Sequence, residues 1–358
     1  MQNYGLIRRG AGNAVLEAIR VPKLPDDYIL VRTVTIALNP TDWTTLDAVG
    51  DDGTIVGCDY AGIVEEVGKA IKRPFKRGDR IAGFGHGGND ANHEHGAFAR
   101  YIAVKGDLQF HIPDNVTFEA ACTVGVGVMT TGYGLYHVLK LPFPDTVSEP
   151  SNKSILVYGG STATGTLAIQ FAKMSGMQVI TTCSPKHFDL VKRLGADLVY
   201  DYHMEDVGEQ IRQATGGELR TVFDTVNVES SAAICAAAIG PDGGSYCDLL
   251  GLDCPRADVT SRFFLGYSVS GESYIFEGER YDAHPEDFEF ASYFVPMANR
   301  LWAEGKWTPH PQRLGPGGLL GAISGMQDMK AGRYSGEKLV YRVDETSWPK
   351  EPTTSHPE

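Results

Sequence analysis

The chain has 358 residues, 42% hydrophobic and 22% charged, an ordinary globular balance with enough chain for roughly two domains. Its net charge of −13 argues against a polynucleotide-binding surface, and no apolar run reaches the roughly 18 residues that a membrane span needs. Glycine is high at 42 residues, about 12% against an average near 7%, and without a collagen period this points to tight turns and close approach of backbone to ligand.

Met1–Arg9 has no apolar run of the kind that begins a secretory signal. The six cysteines (Cys58, Cys122, Cys183, Cys235, Cys247 and Cys254) form no C-x-x-C pair, so free thiols and a cytoplasmic location are expected. The first third reads as short strands bounded by glycine: Tyr28–Leu38, Gly62–Gly68, Asp79–Gly83 and Ala97–Val104, a pattern of a partly open barrel. Thr117 is placed to cap a helical stretch running to about Leu139, with Glu119 in its first turn. Leu141–Lys153 reads as a surface loop. From Ser154 the chain alternates: strand Ile155–Tyr158, helix Thr166–Ser175, strand Val179–Thr182, helix His187–Leu194, strand Leu198–Tyr200, helix Val207–Ala214, strand Thr221–Asp224, helix Ser230–Ile239 and strand Ser245–Cys247. Such alternation predicts βαβ units and a doubly wound parallel sheet. A helix over Asp287–Ala303 follows, and a last strand, Lys338–Val343, is expected to return to the barrel. The tail from Asp344 reads as disordered or surface-draped.

Tyr158-Gly159-Gly160-Ser161-Thr162-Ala163-Thr164-Gly165 lies between an apolar strand and a helix. A strand, tight turn and helix present backbone N–H groups and the positive helix end to a pyrophosphate. Against G-x-G-x-x-G, the first and third glycines fall at Gly160 and Gly165, while Thr162 takes the second place. Ser161, Thr162 and Thr164 offer hydroxyl donors in compensation. An NAD site wants a carboxylate about 20 residues on, where this chain has Thr182-Cys183-Ser184-Pro185-Lys186-His187. A hydroxyl and a cation there favour a 2′-phosphate, hence NADPH.

His86, His93 and His95, with Glu94 between the last two, lack further ligands at metal spacing and read as a solvated loop; no metal is expected. The absence of G-x-S-x-G leaves a hydrolase elbow without support.

These pieces resemble the medium-chain dehydrogenase/reductase superfamily over nearly the whole chain. Asn39-Pro40-Thr41-Asp42, Gly57-Cys58-Asp59-Tyr60-Ala61-Gly62, Gly78-Asp79-Arg80, Gly96-Ala97-Phe98-Ala99, Leu194-Gly195-Ala196 and Gly336-Glu337-Lys338 carry the likeness. The zinc-free, quinone-reductase-like branch is indicated, because Gly57-Cys58-Asp59 stands where zinc alcohol dehydrogenases carry Gly-His-Glu, and the lobe of four structural cysteines is missing between Arg80 and Gly96. The resemblance implies an α/β protein with a GroES-like partly open β-barrel catalytic domain, 1–125 and 287–358, and a Rossmann doubly wound nucleotide-binding domain, 126–286.

Within that branch, the Ser161–Thr164 turn, Thr182-Cys183-Ser184-Pro185 and Phe188-Asp189-Leu190 are similar to the trans-acting enoyl reductases of fungal polyketide synthases, such as the partner of the lovastatin synthase. Those enzymes use NADPH to reduce an α,β-unsaturated thioester on the synthase's acyl carrier protein. The resemblance implies pyrophosphate contacts at Ser161, Thr162, Ala163 and Thr164, and 2′-phosphate contacts at Ser184, Lys186 and Tyr202. It also implies cofactor contacts at Asn39, Pro40, Leu249, Gly251 and Lys338, with Thr130 beside the nicotinamide and acyl chain. The family often has a lysine two residues after Asn-Pro-Thr-Asp; here Thr44 stands there and offers only a neutral hydroxyl.

The reading is therefore hydride transfer to an enoyl thioester, with Thr44, Thr130 or backbone N–H groups stabilising the enolate and no proton donor assigned. Two rivals share the cofactor: a stand-alone quinone or small-enone reductase, and a non-catalytic NADPH-binding protein. A trans-acting enzyme carrying −13 needs a local basic patch to meet an acidic carrier, and Lys69, Lys72, Arg73, Lys76, Arg77 and Arg80 form the densest basic run. A monomer is expected, with Pro255 near the sixth strand discouraging edge pairing.

Overall fold

The computed structural model describes residues 2–349. The chain opens with a hairpin, β1 (Asn3–Arg8) and β2 (Ala14–Ile19), whose first strand has every residue buried. The barrel sheet follows: β3 (Tyr28–Ala37), helix α1 (Pro40–Asp47), β4 (Asp59–Val67), β5 (Arg80–Phe84), β6 (Tyr101–Lys105) and β7 (Phe110–His111). β3 is long enough to serve three partners. It pairs with β4 along one edge, while β6 takes Tyr28–Arg32 on the other.

The helical stretch predicted from Thr117 to Leu139 is interrupted. α2 (Phe118–Ala121) and α3 (Gly125–Gly132) are separate helices, and Tyr133–Val138 continues α3 as a π-helix. Thr117 caps α2, its hydroxyl accepting from the Ala120 N–H at 3.2 Å. The break follows from tertiary contact: a Cβ at position 125 would run into the Gly83 carbonyl, so α3 begins flush against β5.

The second sheet is built from β8 (Ser154–Tyr158), α4 (Ala163–Met174), β9 (Gln178–Thr182), α5 (Phe188–Arg193), β10 (Leu198–Tyr200), α6 (Val207–Ala214), β11 (Thr221–Asp224), α7 (Glu229–Ala238), β12 (Gly244–Asp248) and β13 (Val259–Phe263). All six strands are parallel, in the order β10-β9-β8-β11-β12-β13. Ile155, Leu156 and Val157 of the central strand are fully buried, because helices cover both faces.

A small hairpin, β14 (Tyr274–Phe276) and β15 (Glu279–Tyr281), precedes the long α8 (Pro285–Ala303). β16 (Gln312–Gly315), α9 (Gly318–Lys330) and β17 (Lys338–Arg342) close the chain, and β17 pairs antiparallel with Thr35–Ala37 of β3. The return strand thus lies where the sequence placed it. Of the tail, Val343–Glu345 forms a 3₁₀ turn and Trp348 packs on Tyr4 with ring centroids 5.5 Å apart, so this part is draped rather than disordered; Lys350–Glu358 lies outside the described residues. No helix among the described residues is long and apolar enough to cross a membrane, and all six cysteines are free and buried.

Candidate active site

The β8–α4 turn is shaped by three glycines. Gly159 takes φ +82°, a left-handed conformation that glycine adopts without penalty. A Cβ at Gly160 would strike the Thr181 hydroxyl, and one at Gly165 the Gly159 carbonyl. The turn residue is therefore Gly159, one place before the glycine that alignment to the fingerprint selects. Thr162 caps α4: its hydroxyl accepts from the Gly165 N–H at 2.9 Å and lies 2.9 Å from Thr225 Oγ1, which itself donates to the Tyr158 carbonyl at 2.8 Å. Thr162's hydroxyl is thus already engaged within the turn, by the Gly165 N–H and Thr225. The first-turn N–H groups of Ala163 and Thr164, which an α-helix leaves without intrahelical partners, remain at the mouth of the turn beside Ser161.

At the end of β9, Ser184 donates to the Tyr202 hydroxyl at 3.3 Å, bringing together two residues 18 apart in sequence. Lys186 is exposed beside them and has no carboxylate partner among the described residues. Where an NAD site carries an acid, this corner presents two hydroxyls and a free ammonium.

The barrel side of the cleft is a buried polar network. Lys338, only 3% exposed, makes an ion pair with Asp59 and donates to Asn39 Oδ1 at 2.8 Å. Asp59 Oδ1 also accepts from the Val126 N–H at 2.6 Å, tying the barrel to the start of α3. Asn39 precedes Pro40 at the α1 N-terminus, and its N–H donates to Asp42 at 2.7 Å. Burial pushes the Asp42 carboxyl up to about 7 against the opposing Asn39 N–H, with Asp59 nearby adding to the rise. Asn39 Nδ2 is buried without a partner among the described residues.

Thr44 lies in α1, half-buried, with a long 3.3 Å hydrogen bond to the Thr41 carbonyl. Thr130 lies in α3, half-buried, its hydroxyl unpartnered among the described residues. The segment after β13 links them. A Cβ on Gly266 would sit 3.7 Å from Thr130 Oγ1, and the next residue, Tyr267, places its hydroxyl 2.7 Å from Thr41 Oγ1. Tyr267 also lies 3.7 Å from Cys58 Sγ and stacks on His86 at 3.7 Å. Burial raises the Tyr267 phenol and the Cys58 thiol and lowers the His86 imidazole. No local pattern marks Tyr267; only the fold carries it to α1.

Leu249 and Gly251 follow β12. The Asp248 carboxylate collects the N–H groups of Leu250, Gly251 and Leu252, and Asn227, at φ +63°, accepts from the Leu249 N–H at 2.8 Å. This loop is held as a rigid rim.

The three loop histidines diverge: His86 stacks on Tyr267, His93 faces Asp51 at 3.6 Å, and His95 lies beside Tyr28 and Asn92. Among the described residues no group of three His, Cys, Asp or Glu is placed to hold a metal. The basic run is not one free patch either. Arg73 turns inward to Asn299 at 2.8 Å, where burial lowers it to about 10; Arg77 pairs with Glu65, and Arg80 donates to the Val116 carbonyl at 2.5 Å. Lys69, Lys72 and Lys76 alone remain exposed and unpaired among the described residues.

Residues 25–114 match the profile described as the alcohol dehydrogenase GroES-like domain, and residues 163–251 that described as zinc-binding dehydrogenase. Trans-enoyl reductase TOXD of Cochliobolus carbonum is 53% identical over 265 residues, spanning 74% of this chain and 89% of its own length. Trans-enoyl reductase ACTTS2 of Alternaria alternata is 44% identical over 341 residues, 95% of this chain and 98% of its own. Among solved structures, the CurK enoyl reductase superposes with a TM-score of 0.75 at 18% identity, covering 96% of this chain and 99% of its own. An alcohol dehydrogenase superfamily protein from Novosphingobium aromaticivorans gives 0.78 at 22%, covering 95% and 99%. At such identities the structures speak for the fold alone: a GroES-like barrel joined to a Rossmann-type sheet.

Proposed function

The chain belongs to the trans-enoyl reductases of the medium-chain dehydrogenase/reductase superfamily, and from that premise we propose that it uses NADPH to reduce an α,β-unsaturated polyketide thioester carried on the acyl carrier protein of a partner synthase. It is an oxidoreductase acting on a carbon–carbon double bond. The observation that carries the choice of cofactor is the corner at the end of β9, where Ser184, Tyr202 and the unpaired Lys186 stand in place of a ribose-binding acid.

The residues present fit a dinucleotide. A Cβ would fill the turn at Gly160 and Gly165, and Asn39 Nδ2 is a buried donor left over. Such an orphan costs roughly 1–3 kcal/mol unless a bound group accepts from it. Ser161 and the N–H groups of Ala163 and Thr164 hold the pyrophosphate, with Thr162 shaping the turn rather than donating its hydroxyl. Lys338 fixes the Asn39 carbonyl, so the amide nitrogen just before Pro40 is the donor that would be left for a bound cofactor. Leu249 and Gly251 line the nicotinamide face, with Asn227 and Asp248 keeping that rim in place.

Bound there, a reduced nicotinamide would supply a hydride to the β-carbon of the enoyl group, with a proton from solvent completing the α-carbon. Charge then develops on the thioester oxygen. Thr130, whose hydroxyl is free, and Thr44, whose bond to Thr41 is long, are the side-chain donors that can turn toward it. Neither is charged, so fixed orientation has to supply what a cation would otherwise give.

The test is turnover of a short 2-enoyl thioester with NADPH and with NADH, followed by absorbance and product mass. Saturated thioester formed with NADPH and little with NADH is the expected result. Reduction of free enones with indifference to the thioester would favour a small-enone reductase, and tight NADPH binding without turnover a binding protein.

A further inference from the structure

The π-helix and the last strand of the six-stranded sheet enclose an open cleft of about 370 Å³, lined by His137, Val138, Lys140, Arg262 and Phe263. Lys140 and Arg262 are exposed, and neither has a carboxylate partner among the described residues of this acidic chain. Lys140 follows the helical run at φ +55°, a left-handed position where glycine is usual and a side chain is strained. Asp287, which faces the lining residue His137 at 3.7 Å, accepts from Tyr133 at 2.6 Å.

Two segments lead from this cleft to the reaction site side by side. Phe263 lies against Gly251, Phe264 packs on Tyr133 at 4.8 Å between ring centroids, and Gly266 reaches Thr130. From Lys140 back to Thr130 the helical run covers roughly 15 Å at about 1.5 Å per residue. Arg262 to Gly266 covers roughly 13 Å at about 3.3 Å per extended residue. The two rulers agree, and the span suits an extended pantetheine arm with its thioester at Thr130 and its phosphate at the cations.

We propose that this cleft seats the phosphodiester of the pantetheine arm on the carrier protein, Lys140 and Arg262 binding its oxygens and Phe263 flanking the arm; the inference rests on the carrier-bound substrate proposed above. Phosphate suits this pair because an arginine fork and a lysine point charge both pair with its oxygens.

Lys140→Gly, Arg262→Gln and the double variant test it with two substrates, an enoyl phosphopantetheine thioester and the same acyl group on N-acetylcysteamine. The KM for the phosphate-bearing substrate, divided by that for the small one, should rise about threefold to fivefold for each single variant and about tenfold for the double. Lys306→Glu, at an exposed site outside the cleft, should leave the ratio alone. Lys140→Gly should also hold or raise the melting temperature, since glycine relieves the positive φ, so misfolding cannot mimic the effect. An unchanged ratio in the double variant overturns the proposal. So does a dimer, seen by light scattering, that the variants dissociate, because the face then belongs to a second copy pairing along β13. If the unaltered protein turns over neither substrate, the enoyl-reduction reading fails separately. Calorimetric binding of the saturated phosphopantetheine thioester then still decides the cleft: about tenfold weaker in the double variant supports it, and equal affinity overturns it.

Discussion

Lys338 and Asp59 come from opposite ends of the chain and meet out of water, each almost wholly buried. Breaking such a pair from one side strands a charge, so Lys338→Met should cost roughly 3–5 kcal/mol in urea unfolding, whereas the double variant Lys338→Met/Asp59→Leu should lose less than the two singles summed. Asp42 makes a pH-dependent contribution. Its folded pKa, raised by burial to about 7, lies above the ordinary aspartate value of 3.8. The native state therefore binds more protons than the unfolded chain between those limits. Stability from this group is full below about 4 and is lost as pH rises through about 7. Asp42→Asn should flatten that slope in melting curves taken from pH 4 to 8, and an unchanged slope would place the titration elsewhere. At the corner after β9, where the proposed 2′-phosphate would lie, Lys186→Glu should raise the KM for NADPH about tenfold and leave that for NADH nearly unaltered. These site residues differ in how legible they were. That Ser184 and Lys186 follow directly on a strand could be read from local order. Tyr267 could not, nor could the bond between Lys338 and Asp59, since 279 residues separate that pair and no local pattern records the distance.

Among the elements, α4 owes its position to the glycines before it. In Gly165→Ala the new Cβ would meet a backbone carbonyl, which cannot swing aside as a side chain can, so the turn must open. The expected outcome is a Kd for NADPH raised at least about tenfold by fluorescence titration, with the fold retained by circular dichroism. Elements of strong local pattern were legible: β8, β9 and β11 as short strands, and α8 as a helix two residues short of its observed start at Pro285. The α3 region was misread as part of one long helix because its break is set by contact with Gly83 and not by any local stop signal. β1, α9 and β13 gave no clear periodicity, since β1 is buried throughout, α9 is spotted with glycine and β13 is a half-exposed edge.

For the molecule as a whole, α3 ties the barrel to the parallel-sheet unit: Asp59 from the barrel accepts from the Val126 N–H at its start, and its Thr131 donates to the Thr164 carbonyl in α4. The doubly wound sheet and the returning last strand were readable from the alternation of strand and helix. The surface was not, because a run of six basic residues in sequence disperses once Arg73 and Arg80 fold inward, while Lys140 and Arg262, far apart in sequence, converge. The central claim, hydride transfer from a reduced nicotinamide to the β-carbon of an enoyl thioester, is tested most directly with NADPH deuterated at the transferring C4 position. Mass spectrometry and NMR of the product should find one deuterium at the β-carbon and a solvent hydrogen at the α-carbon. Deuterium at neither carbon, with the double bond intact and the NADPH unconsumed, would contradict the account.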